Sequence, residues 1–490
     1  MTKRMFSSIR IILIIIIILL VTVIMIVSHD ISFGHSHPIQ QLDVPHDKMG
    51  TYELGFSSHL PILLMRTDVS SLHDRELPPL AVIWLFDNGG ENRLTDTPAE
   101  VFDFARAFYR GSTSLSYPKK PYKINLLNYN NAFIEPLKHS FFGYDASSEW
   151  VLRPPYADKS LLRDWFSYEL AAMVLDWQPR GKPVQLFLQD GESGVIDYQG
   201  VYFLCHYIPA AADAGLGLGG FGLSTSERID FDGGGYLFQR DRDREYSNLM
   251  VFPDAVYRIM HPNDTDLSAS QNRHLRNEIA FFHDFLSKKG PYEGFTGDEW
   301  DYWNYIDVDS FIDYFLIAEV VKVIDAGRFS TFMYRQAGGK LIMGPLWDCD
   351  LSMGNSDYQE PYYHSFLPIR ENMISQLLEE EAFAARFVEK WRQYRSSIWS
   401  DEAVFGLFDE MSEYLAEPAA QNAERWPEKY DGQTYIWPNP VPYTESWEEE
   451  IMRTRLWLAM RLQWLDGHIP RLMHESAGEI NNSYQNSLNG

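Results

Sequence analysis

Two stretches of this 490-residue chain place acidic residues at spacings that suit chemistry. "GPLWDCDLSMGN", residues 344–355, sets Asp348 and Asp350 on either side of Cys349, directly after the apolar run "LIM". Side chains two apart on an extended backbone point the same way. The pair therefore reads either as turn acids at a surface or as two carboxylates that hold a cation. Upstream, "VVKVIDAGRFS" has a single carboxylate, Asp325, at the end of the apolar run 310–324. Phosphoryl transfer needs one carboxylate to orient the attacking hydroxyl and another to hold a metal on the nucleotide phosphates. Asp325, then a hairpin pattern, then Asp348 is the order that this chemistry uses. A plainer reading stays open: Asp325 ends a helix and Asp348 opens a turn.

The elements that must position these acids are legible as patterns. "DVDSFIDYFLIAEVVKVI" starts acidic and has a broad apolar face, a helix that delivers Asp325. "STFMYRQ-AGG-KLIMGPL" is two strand-like runs around a Gly-containing turn, a hairpin that leads to Asp348. Earlier in the chain, 60–65, 81–87, 101–111 and 121–127 are β-branched and aromatic runs bounded by turn signals. Lys123 alternates there with Tyr122 and Ile124 and so faces away from the apolar side. Residues 160–177 have helical periodicity, with Ser160 as N-cap and Pro179 as stop. "PVQLFLQD", "GVYFLCHYI" and "GGYLFQRD" return to strand, and the pattern after about residue 268 is mainly helical. Strands first and helices later define an α+β chain with a β-rich N-terminal half. A formal G-x-G-x-x-G at Gly217, Gly219 and Gly222 is followed by "LSTSERIDFDGGG" and no helix, so it reads as a loop.

Composition narrows the function classes. A hydrophobic content of 45% with 15% aromatics supports a large packed core, and a net charge of −26 argues against a nucleic-acid partner. The two cysteines, Cys205 and Cys349, leave disulfide or free thiol open. Ile11 to Val27 is uncharged, with Lys3, Arg4 and Arg10 before it and Asp30 after. That asymmetry predicts a cytoplasmic tail (1–10), a single transmembrane anchor (11–28) and a chain that is otherwise extracytoplasmic. A cleaved signal peptide is the rival, but "VSHDISFGHS" is a poor cleavage site. A juxtamembrane linker (29–51), one catalytic domain (52–474) and a frayed polar tail (475–490) complete the expected organisation.

Several motifs together resemble one family. "YRGSTSLSYPKKPYKINL", "WVLRPPYADKSLLRDWFSYELA" and "GPLWDCDLSMGN" are similar, in this order, to the "RGNS…KKPY", "ADKS.LRN" and "PWDxDxxxG" blocks of the spore-coat CotH kinase family. "DGESGVIDYQGVYFL", "GGYLFQRD" and "WLAMRLQWLDGHI" match its other signposts, so the likeness runs from about residue 55 to 470. The resemblance implies an atypical protein-kinase-like fold with a β-rich N-terminal lobe and a mainly helical C-terminal lobe. It implies transfer of phosphate from ATP, with Mg²⁺ or Mn²⁺, to Ser or Thr of a protein such as a Ser-rich coat protein. By the same likeness Asp325 is the catalytic aspartate and Asp348 the metal ligand, with Asp350 as a second candidate. Arg110, Gly111 and Ser112 fall near the nucleotide phosphates. Lys120 and Lys123 are candidates for the phosphate-pairing lysine, each also readable as an exposed strand residue. Glu169 and Arg163 lie on the helix that would supply the lysine's acidic partner. Three positions depart from the pattern: Ser330 and Val323 stand where Asn is usual, the former at a second metal site, and His206 stands where Glu is usual. These departures sustain a second reading, a pseudokinase that binds without turnover, and a third, a coat scaffold.

Overall fold

In the computed structural model, residues 44–489 are described except for 131–132, 209–234, 243–248, 263–266, 287–301, 337–338, 359–360 and 371–372. The N-terminal strands are β1 (Ile62–Thr67), β2 (Leu80–Phe86), β3 (Glu100–Tyr109), β4 (Tyr122–Asn130), β5 (Phe133–Pro136), β6 (Glu149–Arg153), β7 (Gly181–Asp190) and β8 (Ile196–His206). Seven of them close into a barrel in the order β3-β2-β1-β7-β8-β6-β4, and β4 pairs back onto β3 from Ala105↔Leu126 to Tyr109↔Tyr122. The strand β1 is parallel to β7 (Ile62↔Gln185 to Thr67↔Asp190), and the remaining barrel pairs are antiparallel. The β5 strand extends β4 as a hairpin outside the ring.

Strand alternation explains the barrel's interior. Leu63 and Met65, Ile83 and Leu85, Ala105 and Ala107, Tyr122, Ile124 and Leu126, Trp150 and Leu152, Leu186 and Leu188, and Tyr202 and Leu204 form one buried cluster. Their neighbours point outward. Val151, Phe203 and Cys205 thereby join the main core, which lies between the barrel and the helices. Those helices include α1 (Arg163–Ala171), α2 (Ala269–Leu286), α3 (Val308–Val321), α4 (Glu381–Arg395), α5 (Asp401–Arg425) and α6 (Trp447–His468). A second, antiparallel sheet has the order β10 (Leu249–Val251), β11 (Val256–His261), β9 (Tyr236–Asp241), β12 (Thr331–Arg335), β13 (Leu341–Met343). The hairpin expected between Asp325 and Asp348 is β12–β13, paired from Met333↔Met343 to Arg335↔Leu341.

This architecture corrects the expected fold. The N-terminal strands close on themselves around their own core, so the described residues do not have the two-lobed, kinase-like arrangement with a preceding transmembrane helix. The single-pass placement is corrected with it. Residues 11–28 lie outside the described residues, and among the described residues no helix is long and apolar enough to cross a membrane. Among the described residues the apolar helix α3 has only 14 residues, all buried but Asp309.

Other expectations change at the ends. Residues 44–51 of the predicted linker include Val44 and Met49, which are buried with Phe56 against the barrel's outer face at Ile62 and Trp84. The tail forms a helix, Ala477–Asn489, with Ile480 buried. Asn481 anchors it by accepting from Phe366 N (2.8 Å) and donating to Phe366 O (2.9 Å). The glycine-rich segment 215–222 lies outside the described residues.

Candidate functional site

The loop that carries Asp325 is fixed at both ends. Asp307 caps α3 by accepting from Ser310 N at 2.9 Å, and Lys322 ends it in the left-handed conformation (φ 52°). Lys322 Nζ then donates to Tyr362 O and Ser365 Oγ, which pins the exit from the helix. Asp325 O accepts from Arg328 N and Phe329 N, folding 325–329 into a turn, and Arg240 at the end of β9 donates to Gly327 O at 2.9 Å.

Asp348 leaves β13 through a segment held by Gln178, whose amide both donates to Leu346 O (2.8 Å) and accepts from Leu346 N (2.9 Å). Asp348 has φ 65° and Ser330 has φ 49°, left-handed backbones that cost an L-residue energy and that gather at functional sites. Asp348 and Asp350 therefore do not share the extended backbone that their spacing suggested. Both nevertheless line one cleft of about 320 Å³, while Cys349 between them is buried and donates its N–H to Asp164 Oδ1 (2.9 Å).

That cleft lies between the barrel's outer wall, the ends of β9, β11 and β12, and the segment 347–351. It collects Arg110, Gly111, Ser112, Lys123, Asp325, Ser330, Asp348 and Asp350 from segments up to 240 positions apart. It does not collect Lys120, whose Nζ donates to Leu115 O (2.6 Å), or Glu169, which pairs with Arg180 (2.6 Å). Lys123 points out of the barrel, as alternation requires, and its Nζ pairs with Glu149 Oε2 at 2.9 Å over the ring of Tyr207. The lysine's acidic partner thus comes from β6 and not from α1. Arg163 is buried in a structural network with Asp158 (2.6 Å), Glu450 (2.8 Å) and Ser352 O (3.0 Å).

The sequence reading missed Arg153 and Asp164. Arg153, at the end of β6, donates from Nε to Asp164 Oδ2 (2.7 Å) and from Nη2 to Asp348 Oδ1 (2.9 Å). Ser330 Oγ donates to the other oxygen of Asp348 at 3.3 Å. The departures are thereby placed. Ser330 reaches Asp348, Val323 fills the main core, and His206 is buried. His206 is stacked on Trp150, with Nδ1 accepting from Arg180 N (3.0 Å) and Nε2 against Asp145 O (2.7 Å). The signal for Arg153 was its place inside the quoted "WVLRPPYADKS" block, on the outward side of a strand.

The acids differ electrostatically. Burial, then the charge of Asp348, pushes Asp325 up to about 6, against a smaller pull down from Arg242 and Arg328. Asp348 stays below the ordinary carboxylate range: burial would raise it, but the charge and hydrogen bond of Arg153, with Arg110, outweigh that. Burial and the neighbouring Asp348 and Asp164 push Asp350 well up. Arg110 and Arg153 lie 5.6 and 4.6 Å from the ring centroid of Trp347. The site therefore joins a carboxylate poised to take a proton, an ionised one and a row of cations. Gly111 turns the chain at φ 89°, where a Cβ would strike Ser114 Oγ, and brings the hydroxyls of Ser112, Thr113 and Ser114 to the same wall.

No curated protein matches the chain significantly. The model of the CotH kinase protein family matches residues 107–465, about three quarters of the sequence and all of the elements that carry the two acids. The resemblance in the motifs is borne out: the chain belongs to the CotH kinase protein family.

Proposed function

We propose that the cleft transfers the γ-phosphoryl group of ATP to a Ser or Thr hydroxyl of a protein, such as a Ser-rich coat protein. One observation carries this reading: Asp325, raised to about 6, and the ionised Asp348 share a cleft with Lys123, which is paired with Glu149. A base that titrates near the working pH combines the right protonation state with driving force for proton transfer. Asp325 accepts the acceptor hydroxyl's proton as its oxygen bonds to phosphorus and the bond to the leaving diphosphate oxygen breaks. Lys123, Arg110 and the Ser112–Ser114 hydroxyls bind and orient phosphate oxygens.

The residues fit a divalent ion on those phosphates. Among the described residues no three His, Cys, Asp or Glu side chains form a ready cage. Mg²⁺, however, is usually held by one or two carboxylates together with phosphate oxygens and water. Asp348 and Asp350 are the two, and the high affinity of Asp350 for a proton shows a crowded acid that a cation would relieve. When bound, Mg²⁺ or Mn²⁺ would supply neutralisation of charge on the phosphates.

A specific contact favours a second reading, nucleotide binding without transfer: Arg153 already neutralises one oxygen of Asp348. One experiment tests both. The full chain is incubated with labelled ATP and Mg²⁺ or Mn²⁺, and label on itself or on a Ser-rich protein is counted. Transfer lost in both Asp325→Ala and Asp348→Ala supports the kinase. Equal label in wild type and Asp325→Ala overturns it. A nucleotide-dependent rise in melting temperature without transfer supports the second reading.

A further inference from the structure

Among the cleft's cations without a role in phosphate binding is one that stands beside Asp325. Arg242, just past β9, is exposed and stands at the mouth beside Asp325, with Nη2 3.9 Å from Asp325 Oδ1. That length is beyond a hydrogen bond, so the donors of the guanidinium are not spent on the carboxylate. The side chain is nonetheless held in place. Its guanidinium carbon lies 4.5 Å from the ring centroid of Phe329, and that of Arg328 lies 5.2 Å from the same ring. Phe329 in turn is fixed by the turn that follows Asp325, through its N–H to Asp325 O at 2.8 Å. A stacked guanidinium presents a preorganised fork to carboxylate or phosphate oxygens.

We propose that Arg242, braced on Phe329, is an acceptor-side anion subsite. On the phosphoryl-transfer reading, the substrate class is then a peptide whose target Ser or Thr has a carboxylate or phosphate one or two residues away. The spacing is suitable. An acceptor hydroxyl against Asp325 puts Arg242 within about 7 Å, the reach of the next or next-but-one residue of an extended chain. At −26 the chain repels an acidic segment at long range, so the attraction is confined to the short range of Arg242 itself. A basic acceptor would meet Arg242 as a repulsion. Where the neighbouring anion is phosphoserine, each transfer in a Ser cluster prepares the next.

The test uses the full chain, ATP and Mg²⁺ with four peptides that share one Ser and differ in the flanking residue: phosphoserine, Asp, Ala or Lys. The expected kcat/KM is highest for phosphoserine and Asp, about tenfold above Ala, the change that one charge-assisted hydrogen bond brings, and lowest for Lys. Arg242→Gln should level this order and leave KM for ATP unchanged, and Arg242→Lys should restore part of it. Equal kcat/KM for the Asp and Ala peptides overturns the proposal. So does a rise in KM for ATP with the order intact, which would place Arg242 on the nucleotide. Fluorescence anisotropy of the labelled phosphoserine peptide separates the two levels of failure. Binding that weakens about tenfold in Arg242→Gln, in a chain that transfers no label, would keep the subsite and sink the transfer. Binding indifferent to Arg242→Gln overturns the subsite whatever the activity.

Discussion

Asp325 should cost the protein stability, and Asp325→Asn should return it. The carboxyl is 18% exposed and its pKa is raised from 3.8 to about 6, first by burial and then by Asp348. Because the folded value lies above the unfolded one, the folded state holds more protons between about pH 4 and 6. Stability is then fully present below pH 4 and falls as pH rises through 6. A shift of about two units corresponds to about 3 kcal/mol, since each unit is worth about 1.36 kcal/mol. Water entering the cleft makes that a ceiling. Asn has nearly the same shape and no charge, and among the described residues the carboxylate's closest cation, Arg242, is 3.9 Å away, so little pairing is lost. Equilibrium urea unfolding of the full chain, in EDTA and without nucleotide, should show Asp325→Asn more stable by about 2–3 kcal/mol at pH 7.5. The gain should shrink towards zero near pH 4. A variant no more stable than wild type at pH 7.5, or a gain independent of pH, would refute the reasoning that this acid is held against its preference.

The same titration shapes activity. If Asp325 is the base, kcat/KM for transfer should be half-maximal near pH 6 and fall about tenfold per unit below it, measured as a pH–rate profile. Glu149→Gln should raise KM for ATP about tenfold, the loss of roughly 1.4 kcal/mol of pairing with Lys123, whereas Glu169→Gln should leave it unchanged. Arg153→Leu leaves the buried Asp164 without its cation and should destabilise by about 3–5 kcal/mol in urea unfolding. Gly111→Ala should weaken ATP binding in a calorimetric titration, because φ 89° strains any L side chain and a Cβ there would push the Ser114 hydroxyl aside.

Much of the local structure was legible. The strand read at 81–87 is Leu80–Phe86, and the hairpin after Asp325 forms as read. The helix read at 160–177 is shorter, Arg163–Ala171, and Ser160 is not its N-cap: its Oγ donates to Asp158 and accepts from Leu162 N. The polar tail became a docked helix because Asn481 finds both backbone groups of Phe366, a partner 115 positions away that no local pattern reveals. The anchor and kinase-like fold failed for different reasons. The first rested on a segment outside the described residues. The second missed barrel closure, which depends on which strand edges meet.

By itself the sequence determined what is local and periodic: a helix leading to Asp325, a hairpin leading to Asp348, and Lys123 on the outward side of its strand. Family membership follows from the same ordered motifs. Only the tertiary structure decided which partners these groups have. It gave Lys123 to Glu149, brought Arg153 onto Asp348 across 195 positions, left Lys120 and Glu169 outside the cleft, and set Arg242 beside the base. The physical reason is range. Periodicity is written residue by residue, whereas a charge's partner and a carboxyl's proton affinity depend on distances and burial that exist only once the barrel has closed.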